Sequence, residues 1–214
     1  MNSKFDSKSI ALLAMFSAMV AALEVFPIVG ITDLKFFPGG TQFTIDWTGI
    51  PIVIVFIGLG MISSVFSIIV MFVAIGYRNF VGAVFKGAAE LFTIFGLLCA
   101  RLLIRKTKVS RRTEVLLYLV YGIAFRTMGM YFINIPLLNT LYGIPVEAAI
   151  VTSTILMPWN ALQAIINIVG GLLFYYFIPE NLRKQAGLDS GERLSIIEEL
   201  SKEEVEHAFE SETE

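Results

Sequence analysis

Long apolar runs separated by short polar connections set the pattern of this chain, and six of them approach the roughly 20 residues a helix needs to cross a bilayer. They fall at 9 to 29, 46 to 59, 61 to 77, 82 to 104, 115 to 137 and 157 to 178, the second and third being short. Polar residues inside these runs are not scattered. Glu24, Asp46, Lys86, Glu90, Asn134 and Asn160 lie in or near one half of the predicted bundle, with Arg126, Gln163 and Asn167 closer to its middle. The opposite half is mostly aliphatic, aromatic and small. A charged group in hydrocarbon costs about 2 to 3.5 kcal/mol on insertion scales, so a one-sided cluster needs a reason. A solute site open on that side supplies one.

The connections refine the picture. Residues 30 to 45 mix glycine, proline and threonine with phenylalanine, a composition suited to a loop packed on the bundle, such as a lid. Pro145-Val146-Glu147 reads as a helix start, and Met157-Pro158 as a second start leading into the last span. The expected organisation is an all-α polytopic membrane domain of six transmembrane helices over residues 1–185, followed by an acidic tail over 186–214. Ile196, Ile197, Leu200 and Val205 give the tail helical spacing, so it is either a short amphipathic helix or a solvated terminus.

Composition agrees and adds an orientation. Hydrophobic residues make up 56% of the chain and charged ones 16%, with a mean hydropathy of +0.76, against an apolar share of about 45 to 50% in soluble domains. Arg101, Arg105, Lys106, Lys108, Arg111 and Arg112 crowd the connection between the fourth and fifth runs. Cytoplasmic loops carry such an excess, which puts both termini on the cytoplasmic side of a cell membrane together with Lys4, Lys8, Arg183 and Lys184. Only Lys35 and Arg78 then fall in outside loops. The first run resembles a signal peptide but is followed by further spans, and reads as an uncleaved helix. The net charge of −2 conceals a tail with ten acids from Leu188 onward. One cysteine, Cys99, and one histidine, His207, argue against a zinc site. No cofactor motif is present, no phosphate-binding loop of the G-x-x-x-x-G-K-[ST] type, no internal repeat of the kind inverted-repeat transporters carry, and nothing that suggests nucleic acid.

Three constellations carry candidate chemistry. Asn160, Gln163 and Asn167 share one helical face, offering amide donors and acceptors that suit a heterocycle or, equally, the gluing of helices. Arg126, Met130 and Asn134 share a face of the fifth run. Arg126 lies near the midplane and needs a partner, for which Glu90 matches best in depth and Glu24 next; a charge network of Lys86, Glu90 and Arg126 is expected. Glu24, Asp46 and Glu90 against Lys86 and Arg126 leave the region near neutral, favouring a neutral, hydrogen-bonding aromatic solute. In the first run, Ala14, Ala18 and Ala22 form a small-residue stripe that admits close helix approach, from this chain or from another subunit.

These features together resemble a family. The alanine stripe, Phe43-Thr44-Ile45-Asp46-Trp47-Thr48-Gly49-Ile50-Pro51 at the start of the second run, Asn134 eight residues before Tyr142 in Leu141-Tyr142-Gly143-Ile144-Pro145, and Met157-Pro158-Trp159-Asn160 are similar to substrate-binding S-components of energy-coupling factor (ECF) vitamin transporters, most of all the riboflavin-binding members. The resemblance, over residues 9 to 184, implies a non-enzymatic, membrane-embedded subunit that captures a vitamin outside and docks through Ala14, Ala18 and Ala22 on a transmembrane coupling subunit driven by two ATPase subunits. It implies that Asn134 and Asn160 contact the flavin ring and that the loop from Leu34 to Ile45 covers it. The substrate-binding set expected is Asn134, Asn160, Gln163, Asn167, Asp46, Thr48, Lys86 and Glu90. Gln163 stands where riboflavin members usually have lysine, and Gly60-Met61 replaces their Gly-Pro. Thiamine, pantothenate, biotin and a queuosine precursor are the alternative substrates. Two other classes remain: a small membrane enzyme using Lys86 and Glu90 as acid and base, and an assembly subunit whose polar residues only join helices.

Overall fold

The computed structural model describes residues 7–28, 30–106 and 109–188. Helix α1, Ser7–Val25, stops just before Phe26-Pro27, since a proline disfavours helical geometry in the residue ahead of it. The chain then departs from the all-helical expectation. Strands β1, Asp33–Phe36, and β2, Phe43–Asp46, pair antiparallel with Asp33 opposite Asp46 and Phe36 opposite Phe43. A short 3-10 turn, Pro38–Gly40, lies between them. Phenylalanine, threonine and isoleucine at 43 to 45 favour an extended backbone, and the Pro-Gly-Gly sequence turns it around.

Six helices follow: α2 Gly49–Leu59, α3 Met61–Gly76, α4 Phe80–Lys106, α5 Arg111–Tyr142, α6 Val146–Phe177 and the short α7 Glu180–Ala186. Their boundaries have local causes. Gly60 alone joins α2 to α3, at φ +91°, a conformation costly for any side chain. Asn79 accepts the Gly82 N–H at 2.9 Å, and Ser110 Oγ accepts the Thr113 N–H at 3.3 Å, each filling an orphan donor at a helix start. Gly143, left-handed at φ +65°, ends α5.

Two expected limits are corrected. Helix α5 does not end near Pro136 but runs through it to Tyr142, and α6 does not restart at Pro158 but is continuous from Val146. Proline inside an apolar helix is tolerated when neighbouring groups and local adjustments accommodate the freed carbonyl. The expected amphipathic segment near Ile196 lies outside the described residues.

Helices α1, α4, α5 and α6 are each long and apolar enough to cross a membrane. At 11 and 16 residues, α2 and α3 are about 16 and 24 Å long, short of the roughly 30 Å hydrocarbon core. They nevertheless connect the two ends of the bundle. Thr48, just ahead of α2, bonds to Lys86 at one end of α4, while Phe56 and Ile57 near the end of α2 bond through their carbonyls to Arg101 at the other. Helix α3 returns to the first end, where Arg78 donates to the Glu24 carbonyl. The basic end is closed by α7, with Lys8 Nζ donating to the Gln185 carbonyl at 3.1 Å.

Helix α2 is apolar on every side and buried on nearly every side, the position physical chemistry assigns to such a helix. Ile52, Val53 and Phe56 meet Ile68 and Met71 of α3, Ile94 and Leu97 of α4, and Ile168 and Leu172 of α6. On the far side of α3, Ile62, Phe66, Ile69 and Val73 are exposed, an apolar surface that matches lipid.

Candidate functional site

The polar residues gather at the end that carries the hairpin, and they form two arrays that meet at Asp46. In the first, Lys86 of α4 is held between two carboxylates, bonded to Glu24 of α1 and 2.8 Å from Asp46 Oδ2. Thr48 fills the same triangle. Its hydroxyl accepts from Lys86 Nζ at 2.8 Å and contacts Glu24 Oε1 at 2.7 Å and Asp46 Oδ1, while its N–H donates to Asp46 Oδ1 at 3.0 Å. These bonds tie α1, the base of β2, the start of α2 and α4 together.

The second array descends into the bundle. Gln163 of α6 grips the backbone of Asp46 from both sides, accepting its N–H at 3.1 Å and donating to its carbonyl at 2.7 Å. The Gln163 amide also donates to Asn167 Oδ1 at 2.8 Å, and Asn167 donates in turn to both Glu90 oxygens at 3.0 and 3.3 Å. Arg126 of α5 completes the line, with Nη1 2.7 Å from Glu90 Oε1 and 3.0 Å from Thr93 Oγ1. Gly49 makes room for this line, since a Cβ there would sit 1.8 Å from Asn167 Nδ2.

Arg126 meets Glu90, the partner matched to it in depth. The expected link of Lys86 to Glu90 is corrected: Lys86 turns to Glu24 and Asp46, because Arg126 and Asn167 already occupy the Glu90 carboxylate. Lys preceding Glu by four residues is also the weaker order along a helix. The structure adds Arg78 and Thr93, which the sequence pattern did not single out. Three carboxylates, Glu24, Asp46 and Glu90, are met by two cations, Lys86 and Arg126, while the exposed Arg78 bonds to the Glu24 backbone carbonyl. The one available signal for Arg78 was its place in a connection at the same end as the C-terminus of α1, where cations favour the exposed carbonyls.

The remaining candidate amides behave differently. Asn160 is buried and donates from Nδ2 to the Leu156 carbonyl of its own helix at 3.0 Å. Asn134 on α5 is 2% exposed, and its Oδ1 has no hydrogen-bond partner among the described residues. Arg126 Nε is buried without a partner as well. An unmet acceptor at such burial costs about 1 to 3 kcal/mol. Over the site, Trp159 of α6 packs against Phe36 at 4.9 Å and Phe43 at 6.3 Å between ring centroids, seating the hairpin on α6. Ala14, Ala18 and Ala22 lie on an exposed face of α1 beside Met15 and Met19.

No family model and no curated protein matches the chain. Among solved structures, the crystal structure of the S-component for biotin from an ECF-type ABC transporter is similar, with a TM-score of 0.51 and 18% identity over 81% of this chain and 94% of that one. The chain shares the S-component fold. Within that fold, the polar end with its hairpin and the basic end closed by α7 are the two poles of the molecule.

Proposed function

We propose that this chain is the substrate-binding S-component of an ECF-type vitamin uptake transporter in the cell membrane, a binding subunit and not an enzyme. It passes the bilayer six times with both termini inside, the basic end facing the cytoplasm under the positive-inside rule. Its ligand enters at the hairpin end. The observation that carries this reading is the buried Asn134 Oδ1, without a hydrogen-bond partner among the described residues, in the polar end of an S-component fold. Asn134 and Asn160 contact a ring with alternating donors and acceptors, and the hairpin covers it. Asp46, Thr48, Lys86, Glu90, Gln163 and Asn167 form the wall that holds those contacts in place. Lys86 and Arg126 are both paired to carboxylates, so no free basic cluster awaits an anion and a neutral solute is favoured, with riboflavin as the first candidate. Ala14, Ala18 and Ala22, exposed on α1, dock on a transmembrane coupling subunit that works with two ATPase subunits.

Biotin is the second substrate, favoured by the fold shared with a biotin S-component. Mass spectrometry of small molecules copurifying with the membrane-extracted protein, followed by titration with riboflavin and biotin, separates the two. Nanomolar riboflavin binding is the expected result. Binding of biotin alone replaces the substrate and keeps the class, and binding of no vitamin across a panel with thiamine, pantothenate and a queuosine precursor sinks the class.

A further inference from the structure

The opposite pole carries a second site. A surface groove at the start of α5 is lined by Arg111, Arg112, Val115, Leu116 and Leu119. The order of these residues is informative: two cations come first, and three aliphatic side chains follow over the next two turns, reaching about 12 Å further along the helix. The Arg111 guanidinium lies over the Tyr176 ring of α6, 3.9 Å from its centroid, which fixes its position at the groove's upper edge. Arg112 is exposed. Glu114, an acid on the same turn of α5, accepts from the Tyr176 hydroxyl at 3.5 Å. Below, Leu116 and Val120 are more than half exposed on a helix long and apolar enough to cross the bilayer, a wall suited to hydrocarbon.

We propose that this groove binds an anionic phospholipid, its phosphate between Arg111 and Arg112 and an acyl chain along Val115, Leu116 and Leu119. The inference goes beyond the vitamin reading and requires only that α5 crosses the membrane. Charge complementarity selects an anionic headgroup, and arginine forks match phosphate geometry. The aliphatic wall selects a lipid over a soluble anion. A purely acidic peptide satisfies the arginines and leaves that wall unused.

The test uses the purified full-length protein in neutral detergent, with bound lipid counted by native mass spectrometry during titration with phosphatidylglycerol or phosphatidylcholine. Phosphatidylglycerol is expected to be preferred by about fivefold per arginine, so the preference falls about fivefold in Arg112→Gln and vanishes in Arg111→Gln/Arg112→Gln. Arg111→Lys/Arg112→Lys retains most of it. If the double glutamine variant does not fold, Arg112→Gln alone decides. Equal retention of the two lipids by the native chain, or an unchanged preference in Arg112→Gln, overturns the proposal. So does displacement of phosphatidylglycerol by equimolar inorganic phosphate, which assigns the arginines to a soluble anion.

Discussion

Asn134 and Gln163 are buried amides at the same pole, yet their polar atoms stand in opposite states. All the hydrogen bonds of Gln163 go to Asp46 and Asn167, whereas Asn134 Oδ1 has no partner among the described residues. Replacing them separates binding from folding. Asn134→Ala removes no bond of that oxygen, so it weakens vitamin binding by about 1 to 3 kcal/mol, or about 5- to 150-fold in Kd, with little change in thermal unfolding. Gln163→Leu strands the Asp46 backbone and costs about 1 to 3 kcal/mol of stability. Ligand titration beside thermal unfolding in detergent checks both, and equal stability losses from the two variants contradict the assignment. Glu90→Leu is harsher. It leaves the Arg126 charge buried with only Thr93, at a cost of about 3 to 5 kcal/mol, and Glu90→Leu/Arg126→Leu recovers much of that loss. If the double variant is no more stable than the single one, the pair is not the unit the geometry describes. The Arg126–Glu90 contact was legible in the sequence because depth along two helices follows from counting residues. Lys86 was not, since its partners arrive from α1 and β2, elements whose approach no local spacing encodes.

At the scale of elements, hydropathy located the helices and missed their ends for reasons that differ. Pro136 and Pro158 are breakers by local rules, yet both sit inside long helices, because in an apolar bundle helix length is set by tertiary packing. The hairpin was legible only as a packed loop; its pairing depends on Trp159, far away in sequence, giving Phe36 and Phe43 a surface. Close approach of helices is a further property that spacing hints at without locating. A Cβ on Gly96 of α4 would meet the Tyr121 carbonyl at 2.4 Å, a backbone atom that moves only with α5 itself. A Cβ on Gly122 would meet the Ile168 Cδ1 at 2.4 Å, the end of a side chain that can rotate away. Gly96→Ala should therefore cost more than Gly122→Ala, toward the upper part of the roughly 1 to 3 kcal/mol typical of overpacking. Thermal unfolding of the two variants gives the ranking, and the reverse order contradicts a backbone-limited contact between α4 and α5.

Taken as a whole, the molecule is polarised. One pole holds ion-paired charges under a hairpin, and the other holds arginines on aromatic rings, Arg111 on Tyr176 and Arg183 on Tyr175. The distribution of Lys and Arg predicts which pole faces the cytoplasm, because positively charged connections resist translocation. The prediction is open to a direct check, since Cys99 is the sole cysteine of the chain. In a Cys99→Ser background, Tyr142→Cys places a thiol at the exposed turn between α5 and α6, and Lys184→Cys places one on exposed α7. A membrane-impermeant maleimide added to intact cells should label Tyr142→Cys and spare Lys184→Cys until the cells are permeabilised. The opposite pattern inverts the molecule and puts the hairpin pole on the wrong side for the proposed uptake. Labelling of both in intact cells puts the two sites on the same side, an even number of crossings where α6 alone should make one, unless reagent enters the cells. A third thiol removes that ambiguity. Met1, Lys4 and Lys8 belong to the same predicted side as Lys184, and the bond from Lys8 to the Gln185 carbonyl joins α1 to α7 at that pole. Ser7→Cys must therefore follow Lys184→Cys under every labelling condition, and divergence between them contradicts the shared pole itself.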